Sequence, residues 1–469
     1  MKNLIFIFAD QWRRSAMGIE GTEAVLTPNF DQFAEENLRC TQAVSTCPLC
    51  SPHRASLLTG KHPINTGVFT NCKPELPISL QDEEICISDA LKESGYATGY
   101  IGKWHLDVPE ARSKAFPSCG AKGWDAFTPV GKGRHGFDFW YAYGAANNHN
   151  SGQHYWMDSP EKIITNKWSP EHETDIALDF VEKNRENPFA LFMSWNPPHP
   201  PYEQVPQKYL DLYPENIPLK GNSTLEKFVS HTPEADHNHK DPELNKQHLH
   251  QYYAAISGLD EQFGRIVSYL KENSLFEDTY VVVSADHGDM IGAHGMVGKH
   301  VWYEESIGIP FLISGVGKGV CDTVIGSPDV MPTLLELMDL PIPDTVEGES
   351  CVSSMKKIDH QEEKVCYLGC VPGLKYYLEE FSKTTLDNRD FGWRGIRTKN
   401  HCFVVELGYL PTETPKCKYH LYDLKSDPLQ MSPLEGNPQK NPLAKELYQQ
   451  LFGFLQEQKD GIVKYLEDF

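Results

Sequence analysis

The sequence of 469 residues predicts an α/β protein, a large and mostly parallel sheet sandwiched by helices, with a smaller α+β domain at the C-terminus. Three observations carry this. Short apolar runs that end in polar or glycine-bearing turns recur at 4–9, 96–101, 189–195, 280–285 and 309–314. Between them lie helical patterns at 29–39, 87–94, 173–186 and 252–273, the last with apolar residues at helical spacing. Strand, helix, strand alternation places parallel strands under helices on both faces. From about Ser350 the pattern changes to antiparallel strands at 393–406 and 419–424, then a helix at 442–457, which divides the chain into 1–350 and 351–469.

The first run follows Lys2, as in an export signal, but it is short and meets Asp10 without a small-residue cleavage site. It reads as a buried strand. In parallel sheets ligands sit beyond the carboxyl ends of the strands, so the residues after each run are the ones to inspect. They are Asp10-Gln11, Lys103-Trp104-His105, Asn196-Pro197-Pro198-His199 and Asp286-His287-Gly288. Two carboxylates, two amides, a lysine and three imidazoles on one rim make a metal and anion site. The stretches 107–170 and 200–250 are rich in Gly, Pro, Asn and His, with weak periodicity, and read as functional loops over it.

Composition narrows the partners. Lys+Arg 43 against Asp+Glu 65 gives a net charge of −22, which argues against nucleic-acid binding, since that mode needs a basic face. No run approaches the roughly 18 apolar residues of a membrane span. The 12 cysteines are too thinly spread for a disulfide scaffold, so most are expected to be free thiols.

The most specific segment is Cys47-Pro48-Leu49-Cys50-Ser51-Pro52-His53-Arg54-Ala55-Ser56-Leu57-Leu58-Thr59-Gly60. Ser51 suits an N-cap, Pro52 the first helical position and Gly60 the position after the last turn. That puts Cys50 at a helix N-terminus, where the helix dipole and Arg54 stabilise negative charge.

Cys50-x-Pro52-x-Arg54 with the following Ala-Ser-Leu-Leu-Thr-Gly closely resembles the signature of type I sulfatases, members of the alkaline phosphatase superfamily. The resemblance extends through Gly102 to His105, Pro198-His199-Pro200, Ser284 to Gly288, Gly298-Lys299-His300, Tyr303 to Ser306 and Leu421 to Leu424. It implies the alkaline phosphatase-like fold and conversion of Cys50 to formylglycine by a formylglycine-generating or anaerobic sulfatase-maturating enzyme. Cys47 lacks the spacing to Pro52 and Arg54. By the same resemblance Asp10, Gln11, Asp286 and His287 hold a divalent cation together with residue 50. Oxygen donors favour Ca²⁺, while the imidazole leaves Mn²⁺ or Mg²⁺ open.

The roles implied are Lys103 and Lys299 on the sulfate oxygens, Arg54 orienting the nucleophile and Asp286 accepting its proton. His199 protonates the leaving alcohol and His105 removes the proton that releases sulfate; the principal acid stays open between His199 and Lys299. Ser56 reads as a helix-stabilising neighbour. Residues 136–150 resemble a substrate-lining loop of carbohydrate sulfatases, and the aromatic richness of 137–156 suits stacking on sugars. His149, His154, His294 and His300, with Trp393 and Arg394, are candidate sugar contacts. The expected activity is hydrolysis of sulfate esters of a sugar or polysaccharide. A phosphonate monoester hydrolase or phosphodiesterase of the same superfamily is the alternative, and a binding protein that has lost its chemistry is a third reading. The chain is expected to be cytoplasmic if Met1 is its native start, and periplasmic or secreted if a leader was removed.

Overall fold

Strand β1 (Asn3–Asp10) is buried at all eight positions because the sheet continues on both of its edges. The computed structural model describes residues 1–110, 119–226, 229–230, 241–357 and 363–467. The other strands of this sheet are β2 (Leu38–Cys40), β3 (Ala97–Lys103), β4 (Phe139–Tyr143), β5 (Phe189–Pro198), β6 (Thr279–Ala285), β7 (Leu312–Ile313) and β8 (Gly319–Cys321). Their spatial order is β8-β2-β7-β6-β1-β5-β3-β4, parallel throughout except for β7, which runs antiparallel to both neighbours.

Register decides where the chemistry lies. Ala9 pairs with Ala285 across β1 and β6, so Asp10 and Asp286 leave the sheet side by side. On the other edge of β1 the pairing shifts after Ala9, which opens the sheet at Asp10. Gly102 pairs with Ser194 across β3 and β5, so Lys103 leaves the sheet beside the end of β5. Gly102 has φ +99, and a Cβ there would lie 2.2 Å from the Ser194 carbonyl oxygen, so only glycine allows this approach.

Helix α1 (Pro28–Glu36) stops three residues before the predicted end. Asn37 is extended, its side chain donates to the Phe33 carbonyl, and residues 38–40 join the sheet instead. Only 312–313 of the predicted run 309–314 pair as a strand; Pro310 has no N–H to offer a ladder. Part of the two predicted loop stretches is regular: β4 lies within 107–170, and the helix α3 (Pro242–Glu272) begins within 200–250, capped by the Asp241 carboxylate. Residues 111–118, 227–228 and 231–240 of those stretches lie outside the described residues.

The C-terminal sheet has four antiparallel strands, β9 (Cys366–Cys370), β10 (Gly392–Arg397), β11 (His401–Gly408) and β12 (Lys418–Asp423). Alternation along β11 assigns its two faces. Cys402 and Val404 pack with Val44, Trp302 and Ile307 of the large domain, whereas Phe403, Val405 and Leu407 pack on Leu447, Tyr448 and Leu451 of the terminal helix α4 (Pro442–Glu457). No helix among the described residues is long and apolar enough to cross a membrane. All 12 cysteines are free thiols.

Candidate functional site

Helix α2 (Cys50–Thr59) is buried at every position and points its first turn at the ends of β1 and β6. It begins two residues earlier than predicted, at Cys50 instead of Pro52, with Leu49 as its N-cap. Ser51, expected as the cap, donates its hydroxyl to the His105 carbonyl at 2.6 Å and accepts from Cys72 N. That fixes the helix start against the segment after β3. Gly60 ends the helix at φ 68, as expected, and Ser56 ties the turn by donating to the Lys61 carbonyl.

Around Cys50 Sγ stand Asp10 Oδ1 at 3.7 Å, His287 Nε2 at 3.4 Å and Lys299 Nζ at 3.4 Å. Ligand atoms of Asp10, Cys50, Asp286 and His287 all lie within 4.8 Å of one another. Arg54 braces the group from behind: Nη2 is 3.1 Å from Asp10 Oδ2 and 3.0 Å from Asp286 Oδ2, while Nη1 donates to the Lys103 carbonyl and Ser194 Oγ. Lys103 Nζ is 2.7 Å from Asp10 Oδ2 and 3.2 Å from Asn196 Oδ1. Gln11 offers Oε1 to Lys299 at 2.7 Å.

The electrostatics favour an anion at position 50. Burial and Asp10 oppose ionisation of the Cys50 thiol, yet Lys299, Lys103 and His287 carry it well below its ordinary value. Asp10 is likewise held well below the usual carboxylate range, burial being outweighed by Lys103 and the other cations. Burial and then Asp10 push Asp286 up to about 6. For His287 burial works against the charge, but Asp286 raises it. Burial lowers His105, and burial followed by Lys103 lowers His199 well below its ordinary value.

A sulfatase family profile matches residues 2–340, and a profile described as N-sulphoglucosamine sulphohydrolase, C-terminal, matches 292–458. The chain belongs to the sulfatase family. It is a sulfuric ester hydrolase. The sulfatase is 35% identical to an ulvan-active sulfatase of Formosa agariphila, over 95% of this chain and 79% of that protein. It is 33% identical to an endo-4-O-sulfatase of Bacteroides thetaiotaomicron, over 98% of this chain and 92% of that protein. A crystal structure of a sulfatase from Bacteroides fragilis superposes with a TM-score of 0.83 at 32% identity, covering 100% of this chain and 98% of that one.

The outer candidates of the sulfatase divide by what holds them. His149 is buried and its Nε2 lies 3.0 Å from the His199 carbonyl, so it braces the segment that carries His199. Its imidazole is pushed down to about 4, burial being the main cause. His154 Nε2 is 2.7 Å from Asp125, and His294 stacks on Tyr303 with ring centroids 4.0 Å apart. The His300 carbonyl accepts from Trp393 Nε1, and Arg394 is bound to Asp460 through Nε and Nη2. Phe137, Trp140, Tyr141, Tyr143, Tyr155 and Trp156 are all buried, so this aromatic cluster packs the interior. Trp124, not singled out in the sequence, is 39% exposed with its ring centroid 6.0 Å from that of His105. Ser194 and Asn196 also join the site through Arg54 and Lys103.

Proposed function

We propose that the sulfatase hydrolyses sulfate esters of a sugar or polysaccharide, using formylglycine formed from Cys50 and a divalent cation at Asp10, Gln11, Asp286 and His287. The observation that carries this is the position of Cys50 Sγ, facing Asp10, His287 and Lys299 together at the buried start of α2. The donor set fits a cation. Two carboxylates and an imidazole converge there, the Gln11 amide oxygen is joined to the same group through Lys299 Nζ, and oxygen donors in the majority suit Ca²⁺, with Mn²⁺ or Mg²⁺ as alternatives. The cation supplies positive charge to the sulfate oxygens as the S–O bond breaks. Formylglycine, hydrated, supplies one hydroxyl for attack and a second through which sulfate is released.

The chain's own residues do the rest. Lys103 and Lys299 bind the sulfate oxygens, both held close to position 50 by contacts that need no solvent. Arg54 locks Asp10 and Asp286 and so fixes the ends of β1 and β6. Asp286, raised by burial, takes the proton given up at position 50. His199 delivers a proton to the leaving oxygen, and His105, buried with its carbonyl bound by Ser51 beside residue 50, takes the proton that lets sulfate depart. Maturation requires a formylglycine-generating or anaerobic sulfatase-maturating enzyme that reads Cys50-x-Pro52-x-Arg54.

A carbohydrate substrate is supported by the names of the ulvan-active and endo-4-O-sulfatase relatives and by the exposed ring of Trp124 beside His105, a face on which a sugar can stack. The test is a peptide mass for residue 50 together with turnover of sulfated mono- and oligosaccharides against phosphate and phosphonate monoesters. Sulfate release from a sugar by modified, metal-loaded protein is expected. Preference for the phosphonate would overturn the reading.

A further inference from the structure

Gln11 differs from Asp10 and Asp286 in that its two ends are chemically unlike, so its orientation decides whether the site receives an acceptor or a donor. Its Nε2 donates to Asp289 Oδ2 at 2.7 Å and its Oε1 accepts from Lys299 Nζ at 2.7 Å. Asp289 is buried and fully engaged: Oδ1 accepts the backbone N–H of Ile291 at 3.1 Å and of Gly298 at 3.0 Å, and Oδ2 also accepts the Tyr202 hydroxyl. A carboxylate with only acceptors leaves the Gln11 amide one way to face it. Gly298 directly precedes Lys299, so the same side chain anchors the loop that brings Lys299 to the site.

We propose that Asp289 is a positioning residue that turns the Gln11 amide oxygen toward the cation position while holding the Lys299 loop. This rests on the reading of Gln11 as a metal ligand. Asp289→Asn replaces one acceptor by a donor. The two backbone N–H groups keep the new Oδ1 on their side, so the new Nδ2 meets Gln11 Nε2, donor against donor, and the Gln11 amide must turn its nitrogen to the cation position. Adding Gln11→Glu restores the match with the roles exchanged: Asn at 289 donates and Glu at 11 accepts, with its second oxygen toward the cation.

Calorimetric titration of Ca²⁺ into metal-stripped protein tests this without reference to turnover. Asp289→Asn is expected to weaken binding by roughly tenfold or more, the usual effect of losing a group that orients a ligand, and the Gln11→Glu/Asp289→Asn pair to return to within about threefold of wild type. Equal affinity of wild type and Asp289→Asn overturns the proposal, as does a double variant no better than the single. Wild-type protein that binds none of Ca²⁺, Mn²⁺ and Mg²⁺ overturns instead the metal reading on which it stands. Should Asp289→Asn not fold, a folded and metal-binding double variant supports the proposal, and an unfolded or metal-free double variant overturns it.

Discussion

Arg54 Nη2 stands 3.0 Å from Asp286 Oδ2 in a contact closed to solvent on both sides. The same nitrogen reaches Asp10 at 3.1 Å, so one guanidinium neutralises the ends of two adjacent parallel strands. Removing one partner of a buried ion pair typically costs about 3–5 kcal/mol, because the charge left behind stays desolvated. Arg54→Ala is therefore expected to melt far below wild type, and Arg54→Lys to lie between them, since lysine keeps the charge and loses the fork. Added Ca²⁺ should stabilise the alanine variant more than wild type by replacing the missing positive charge. Melting curves with and without Ca²⁺ check this, and identical melting of alanine variant and wild type would count against it.

Position 50, and not 47, is expected to be the modified cysteine. The Cys47 thiol hydrogen-bonds with Cys370 and is buried, both of which push it well above its ordinary value. Cys50 lies under three cationic groups that push the other way. Coexpression with a maturing enzyme should lower the mass of the peptide at residue 50 in wild type and in Cys47→Ala, with activity in both. Cys50→Ala should be inactive. An active Cys50→Ala protein refutes the covalent route.

The placement of the site was legible because parallel strands deliver their following residues to one rim, and Asp10, Lys103 and Asp286 obey that rule through the pairings of Ala9 with Ala285 and Gly102 with Ser194. What local pattern missed was decided by contacts far away in the chain. Ser51 looks like a cap, yet its hydroxyl is claimed by the His105 carbonyl 54 residues on. The aromatics of 137–156 suggest a sugar surface, but β4 lies at the edge of the sheet under its own covering layer, and their rings fill it. Asp289 and Trp124 carry no periodic or spacing signal. Their neighbours Gln11 and His105 lie 278 and 19 residues away in the chain.

Glu304 joins the two domains and should show it in acid. Its carboxylate binds Arg14 at 2.6 Å in the large domain and Arg397 at 2.8 Å in β10. Burial opposes its ionisation, but Arg397 and Arg14 win and bring it from 4.5 to about 2. A group depressed on folding contributes stability that is present above its unfolded value and lost as pH falls through its folded one. Here that contribution is roughly 3 kcal/mol at neutral pH, fading between pH 4.5 and about 2. Denaturant titrations of wild type and Glu304→Gln should therefore differ clearly at pH 7 and converge toward the acid end of that window. A gap independent of pH would show that the ion pairs do not contribute this stability.

His199 and Lys299 should separate by leaving group. A sugar alkoxide leaves poorly without a proton, whereas an aryl oxide hardly needs one, so a group that protonates the leaving oxygen matters for the first substrate and little for the second. His199→Ala is expected to lower kcat/KM for a sugar sulfate by about 10²-fold or more and for an aryl sulfate by far less. Lys299→Ala should lower both by similar factors, because its ammonium, 3.4 Å from position 50, meets the sulfate that both substrates share. The pH dependence follows. Burial and then Lys103 hold His199 well below its ordinary 6.5 in the free protein, so its protonated form vanishes as pH rises toward neutrality. For wild type, kcat/KM on the sugar sulfate should climb as pH falls below about 6.5, on a limb the aryl sulfate lacks. Equal loss on the two sulfates in His199→Ala, or the same limb on both, would move the acid to Lys299, whose burial is outweighed by Cys50 and Asp10 so that it stays protonated across this range.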